Sequence, residues 1–157
     1  MSLTAAIKNI SKIHRTQVTV GVQGTARTTA DGEASPADLV EIGSTLEFGT
    51  RDGRIQSRPW LRTALRKNGA KWSRGFRLAL SEWAGGNVSG AMTVLRQVGV
   101  VAVGDVQAQL RAGPWVTNAD STVERKGSDQ PLVDTGQLVQ SQRAQIEVPG
   151  KAPLVVA

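Results

Sequence analysis

The sequence contains no cysteine and no tyrosine, and His14 is its only histidine. Without thiols there can be no disulfide, no cysteine nucleophile and no thiolate zinc site. A single histidine rules out a multi-histidine metal site, and any histidine-based dyad would have to use His14. Its place in an amphipathic N-terminal stretch predicts a partly buried helix residue rather than a ligand. Aromatic residues are few: four tryptophans and two phenylalanines. No apolar run approaches the roughly 20 residues of a membrane span. The segment Met1-Ser-Leu-Thr-Ala-Ala-Ile-Lys8 lacks the basic start, apolar stretch and cleavage site of a signal peptide. The expectation is a protein made and used in the cytoplasm.

A length of 157 residues predicts one domain. The hydrophobic share of 39% supports a modest core and leaves part of the chain to pack against partners. The formal charge is +6, with a pI of about 10.5. That balance suits nucleic acid, an acidic protein surface or anionic lipid, and equally a merely basic soluble protein.

Periodicity predicts the elements. Leu3, Ile7, Ile10 and Ile13 or His14 give a helix over 3–15. Val18, Val20 and Val22 alternate with Gln17, Thr19 and Gly21, a half-buried strand. Residues 23–35 read as a loop. Ser35-Pro36 then predicts a helix start, with Ser35 as N-cap and Pro36 at the first position. Leu39, Val40, Ile42 and Leu46 form its apolar side, and it ends near Phe48-Gly49-Thr50. Pro59 opens the longest helix, reaching Trp83, with Leu61, Leu65, Trp72, Phe76, Ala79 and Trp83 on one face. Gly85-Gly86-Asn87 stops it. A second long helix over 88–112 carries Val88, Met92, Leu95, Ala102, Val106 and Leu110 as its apolar stripe. Gly90, Gly99 and Gly104 within it predict either close approach of another backbone or local weakness. Residues 115–133 are long, polar and aperiodic, which suits a functional arm. Ala144, Ile146 and Val148 predict a strand, Pro149-Gly150 a turn, and 153–157 a last strand or docking tail. The fold expected is α+β: a small antiparallel sheet packed by two long helices, as a single domain over 1–157 with an arm at 115–133.

Catalytic motifs fail on context. Asp134-Thr135-Gly136 has the lettering of an aspartic-protease triplet, whose paired carboxylates activate water. It falls too late in the chain for the strands of such a fold to follow, so a turn is the better reading. Gly21-Val-Gln-Gly24 lacks both the Gly-Lys-Ser/Thr ending of a phosphate loop and a third glycine. Ser73 in Lys71-Trp-Ser-Arg-Gly75 lies mid-helix without the first glycine of a nucleophile elbow. Glu41, Glu47 and Asp52 are explained by solvation or by pairing with Arg51 and Arg54. No catalytic residues, cofactor or metal are expected. The strongest binding signal is a basic stripe of Arg58, Arg62, Arg66, Lys71 (or Lys67), Arg74 and Arg77 along the first long helix. Like charges at such steps repel by a few tenths of a kcal/mol per pair, so solvent, an acidic protein face or DNA phosphates should offset them.

Three stretches together resemble the tail-completion or neck morphogenesis proteins of long-tailed bacteriophages of lambdoid and Mu-like type. The first is Val18-Thr-Val-Gly-Val22. The second is Leu46-Glu-Phe-Gly-Thr50 followed by Ser57-Arg-Pro-Trp-Leu-Arg62. The third is Ser121-Thr-Val-Glu-Arg-Lys-Gly-Ser128, continuing as Asp129-Gln-Pro-Leu-Val-Asp-Thr-Gly-Gln-Leu138. Trp60 departs from the more usual Phe, and Val139-Gln-Ser-Gln142 is more polar than the strand start such proteins carry. The resemblance implies a non-catalytic virion component at the head–tail junction, assembled in the host cytoplasm, needed for tail assembly and head–tail joining. It implies a homo-oligomer, typically a hexameric ring, contacting other neck and tail-tube proteins and passing genomic DNA. A tail terminator ring capping the tube is the alternative within this class, and a basic DNA-binding protein the alternative outside it. Arg125, Lys126, Gly127, Ser128, Leu132, Asp134, Thr135 and Gly136 are the subunit-interface candidates, as an arm ending in a fixed turn that reaches a neighbour.

Overall fold

The computed structural model describes residues 2–11, 13–22, 27–28, 34–35, 39–113, 115, 117, 123–124 and 136–156. Within them run α1 (Leu3–Ser11), β1 (Gln17–Val22), β2 (Arg27–Thr28), β3 (Ala34–Ser35), α2 (Leu39–Phe48), α3 (Trp60–Ala84), α4 (Val88–Ala112), α5 (Gln137–Gln140), β4 (Gln142–Glu147) and β5 (Leu154–Val156). The class is α+β, with a three-stranded sheet ordered β1-β4-β5 and two long helices. β4 and β5 pair antiparallel, with Ala144 opposite Val156 and Ile146 opposite Leu154. The span predicted as a loop over 23–35 contains the β2–β3 pair, antiparallel with Arg27 opposite Ser35. Ser35 is thus a strand residue. The described helix begins at Leu39, and Pro36 lies outside the described residues.

The chain divides into two compact units. The first comprises residues 1–20, 66–105 and 143–157. Its core gathers Ile13, Ala79, Trp83, Ala91, Leu95, Ile146 and Val148, with Val18, Phe76 and Met92 against them. β4 shows the clean alternation its sequence predicts: Gln142, Ala144 and Ile146 are buried while Arg143, Gln145 and Glu147 are partly open. The α3–α4 turn has three helix-ending bonds, Gly85 N–H to Ser81 O, Gly86 N–H to Trp83 O and Asn87 N–H to Glu82 O, with Gly86 left-handed at φ 84°. Asn87 then caps α4 by accepting the Gly90 N–H at 2.9 Å. Farther along, Asp105 ties α4 to α3, accepting from Lys71 Nζ at 2.7 Å and Trp72 Nε1 at 2.8 Å.

Gly99 answers the question its sequence raised. A Cβ built there would lie 2.8 Å from Val156 Cγ2 and 3.1 Å from Ala144 Cβ, so α4 rests directly on β4 and β5. A Cβ at Gly104 would meet nothing within 4 Å.

The apolar faces shift from the predicted ones. Leu65 is 56% exposed and Val88 is exposed, whereas Trp60 and Ala64 are buried on α3 and Ala91, Val98 and Val103 on α4. Each long helix contributes to both units, so its buried side does not follow one stripe along its length. α1 has no buried residue: its apolar positions Leu3, Ile7 and Ile10 are all exposed.

Candidate functional site

The second unit, residues 21–65 and 106–142, holds the most organised polar cluster among the described residues. It starts at the end of α2. Glu47 is buried, with its side chain only 5% accessible. Its Oε2 accepts the Leu61 N–H at 2.9 Å, and its Oε1 accepts the Arg62 N–H at 3.1 Å and Arg62 Nε at 2.8 Å. The carboxylate therefore caps the first turn of α3 from another helix, where orphan N–H groups and the positive dipole end favour an anion. The Glu47 carbonyl accepts Ser57 Oγ at 2.8 Å and Arg62 Nη2 at 3.0 Å. The Arg62 guanidinium also lies over Phe48, 5.0 Å from the ring centre.

The connecting loop is built to suit. Gly49 sits at φ 75°, and a Cβ there would lie 2.8 Å from Ile55 O and from Ser57 N. No other residue type fits that position without moving backbone. Thr50 N–H donates to Ile55 O, and Thr50 Oγ1 accepts the Ile55 N–H, both at 2.9 Å. Asp52 pairs with Arg54 at 3.2 Å. A hydrogen bond from the Thr50 side chain, then one from the Arg54 backbone, holds the Asp52 carboxyl below its usual range. Arg58 donates its N–H to Leu46 O at 2.7 Å, and burial pulls its guanidinium below the usual value.

Behind this clamp, Gly43 marks the place where α2 meets three other pieces of chain. A Cβ built at Gly43 would stand 3.4 Å from Val22 Cγ2, 3.4 Å from Leu138 Cδ1 and 3.8 Å from Trp60 Cζ2. Val22 ends β1, Trp60 starts α3, and Leu138 lies in α5 just beyond the left-handed Gly136 at φ 75°. The three stretches of the resemblance thus each send a residue to one point. Trp60 is 3% exposed, and its Nε1 is buried without a hydrogen-bond partner among the described residues.

No family model, curated protein or solved structure matches this chain.

The predicted site residues fare unequally. Of the interface candidates, Arg125, Lys126, Gly127, Ser128, Leu132, Asp134 and Thr135 lie outside the described residues, as does most of 115–133. Gly136 is described, and its carbonyl accepts the Gln140 N–H that opens α5. The basic stripe separates into different roles. Arg62 belongs to the Glu47 clamp, Arg58 donates its backbone N–H to Leu46 O beside it, and Lys71 is bound to Asp105. Arg66, Arg74 and Arg77 are exposed. At about 100° per residue, Arg62, Arg66, Arg77, Arg74 and Lys71 fan over roughly half of the helix circumference, so they form a broad basic side rather than a narrow stripe. Solvation or pairing with Arg51 and Arg54 holds for Asp52 but not for Glu47. The partner of Glu47 is 15 residues away, beyond any local capping pattern, and only the acid before Gly49-Thr50 together with Pro59 at a helix start hinted at it.

These polar groups hold α2, the loop after it and the start of α3 to one another. Among the described residues no set of three or more His, Asp or Glu side chains converges as a metal site, and no helix there is long and apolar enough to cross a membrane. The first unit contains a cavity of about 320 Å³ lined by the apolar Ile10, Ile13, Phe76, Leu80, Trp83 and Leu95 and by the polar His14 and Thr16. His14 Nδ1 is within 2.8 Å of Ser11 O.

Proposed function

We propose that this protein is a structural virion component of a long-tailed bacteriophage, acting at the head–tail junction in tail completion and head–tail joining as a subunit of a homo-oligomeric ring. The observation that carries the reading is the convergence at Gly43. The stretches Val18–Val22, Leu46–Thr50 with Ser57–Arg62, and the C-terminal end of 121–138 carry the sequence resemblance and are far apart in the chain. One residue from each stretch, Val22, Trp60 and Leu138, packs around the same glycine, as the parts of a single shared motif would. The investment there is in holding segments together: a buried carboxylate accepts three hydrogen bonds, two from the backbone of α3 and one from the Arg62 guanidinium, and so fastens α2 to the start of α3. Such a scaffold suits a rigid subunit that repeats around a closed ring through heterologous contacts.

The test is a nonsense mutation in the corresponding gene of the parent phage, followed by electron microscopy of the lysate and of intact particles. The reading expects full heads beside unjoined tails of normal length, and in wild-type particles a ring of this chain at the neck. Overlong tails would identify the tail terminator instead. Infectious, fully joined particles without the chain would remove the proposal.

A further inference from the structure

An apolar stripe on α1 is left open to solvent. Leu3, Ile7 and Ile10 are 77%, 59% and 41% exposed and recur at steps of four and three, on one side of the helix along roughly 10 Å. The stripe runs into the cavity of about 320 Å³ in the first unit, which Ile10 also lines. Phe76, Leu80 and Trp83 form other walls, and the exposed His14 and Leu80 leave the cavity open at the surface. A dry cavity of about 150 Å³ already takes up a benzene ring, so this one has room for a large aromatic side chain. Thr16 lines it too, and Thr16 Oγ1 is buried without a hydrogen-bond partner among the described residues. A purely aliphatic occupant would leave that hydroxyl unpaired, whereas a phenol or an indole would not.

Cations flank this surface. Lys8, Arg15 and Arg77 are exposed, next in sequence to Ile7, His14 and Phe76, and make no ion pair among the described residues. The first acid of the chain is Asp31. The one acid of α3, Glu82, accepts from Asn87 Nδ2 at 2.7 Å. An occupant with carboxylates around an apolar centre therefore complements the surface. The described residues do not supply one. The chain has no tyrosine, Trp60 and Trp83 are buried, and the indoles of Trp72 and Trp115 already donate to Asp105 and to Leu110 O. Sixteen of the 19 Lys and Arg are described, against seven of the 13 Asp and Glu, so a second copy shows few carboxylates.

We propose that this surface receives a segment of a different protein: an acidic amphipathic helix that lies along α1 and places a tyrosine or tryptophan in the cavity. Helices recognised in grooves present anchors at the same steps of three and four that Leu3, Ile7 and Ile10 follow. A buried aromatic supplies most of the affinity in such contacts, and the charged rim selects the partner. The carboxylates of the segment meet Lys8, Arg15 and Arg77, and its phenol or indole pairs with the Thr16 hydroxyl. The inference goes beyond the virion reading and does not depend on it.

Two measurements on the full chain test this. In the first, p-cresol and toluene, the side chains of tyrosine and phenylalanine, are titrated against wild type and Thr16→Val, and the Trp83 indole resonance is followed. Thr16→Val should weaken p-cresol relative to toluene by at least about fivefold. An unchanged ratio, or no binding of either molecule by wild type, overturns the proposal. In the second, a library of helical peptides displayed on yeast is selected against wild type, and the selected peptides are measured again on Leu80→Asp and on K8E/R77E. The selected sequences should be acidic and carry Tyr or Trp, and each variant should weaken them by at least about tenfold. K8E/R77E changes only exposed side chains and keeps the test open should Leu80→Asp unfold. Selection of no peptide, selection of peptides lacking acids or aromatics, or binding that ignores K8E/R77E overturns the proposal. So does wild-type self-association that Leu80→Asp abolishes, which makes a second copy the occupant. Flotation with phosphatidylglycerol vesicles that K8E/R77E abolishes overturns it as well, in favour of a lipid surface.

Discussion

Glu47 is a buried charge that reads, in sequence, like any surface acid at a helix end. What makes it tolerable inside is that both oxygens are used, since a buried charge without partners costs several kcal/mol. Glu47→Gln keeps the shape but removes the charge facing Arg62 and turns one acceptor into a donor. It should lower stability by about 1–3 kcal/mol, and Glu47→Ala by more, as measured by urea unfolding. Arg62→Ala should cost less than either, because the guanidinium is half-exposed and the two backbone donors keep their carboxylate; equal losses for Arg62→Ala and Glu47→Ala would mean that the cap on α3 contributes nothing. Trp60 poses the opposite problem. Its indole N–H is buried without a partner among the described residues, at a cost of about 1–3 kcal/mol. Trp60→Phe gives up some buried area but removes that cost, so the net change should stay within about 1 kcal/mol, against about 3–5 kcal/mol for Trp60→Ala. Calorimetric melting of the three proteins checks the ranking.

At the scale of elements much was legible. The strand over 17–22 and the helix over 88–112 have the observed bounds, because alternation and a clear Gly-Gly-Asn stop leave one solution. The Pro149-Gly150 turn also follows from local chemistry, and of the strand and docking tail both open for 153–157 the strand is found, over Leu154–Val156. What escaped was nonlocal. Leu65 and Val88 look like core residues by spacing yet are exposed, because which side of a long helix is buried depends on partners distant in sequence. The Glu47 clamp and the meeting at Gly43 escaped for the same reason. The glycines of α4 show the distinction in measurable form. Gly104→Ala replaces glycine in open space and should raise stability by about 1 kcal/mol. Gly99→Ala gains the same propensity but drives a methyl into Val156 and Ala144, and overpacking costs about 1–3 kcal/mol, so it should be neutral to destabilising. Thermal unfolding of both variants decides it; a Gly99→Ala chain as stabilised as Gly104→Ala would show that α4 does not rest tightly on the sheet.

For the whole molecule the governing fact is that neither unit is a continuous stretch. The core of the first draws Ile13 from near the start, Trp83 and Leu95 from the middle, and Ile146 and Val148 from near the end. Removing residues 142–157 should therefore unfold that core rather than trim a tail. Near-ultraviolet circular dichroism, dominated here by tryptophan, should lose its Trp83 contribution, and limited proteolysis should cut between Ser11 and Val18. Retained protection of that segment would contradict the assembly of the core from three pieces. The same layout sets a clock during synthesis. At the ribosome's pace of roughly 5–20 residues per second, Ile13 emerges on the order of ten seconds before Ile146 exists to receive it. Through that interval Ile13 and the core-facing side of the α3–α4 pair stand open together. The nascent chain is most vulnerable to capture by chaperones or to sticking to its neighbours on a polysome just before its last strand is made.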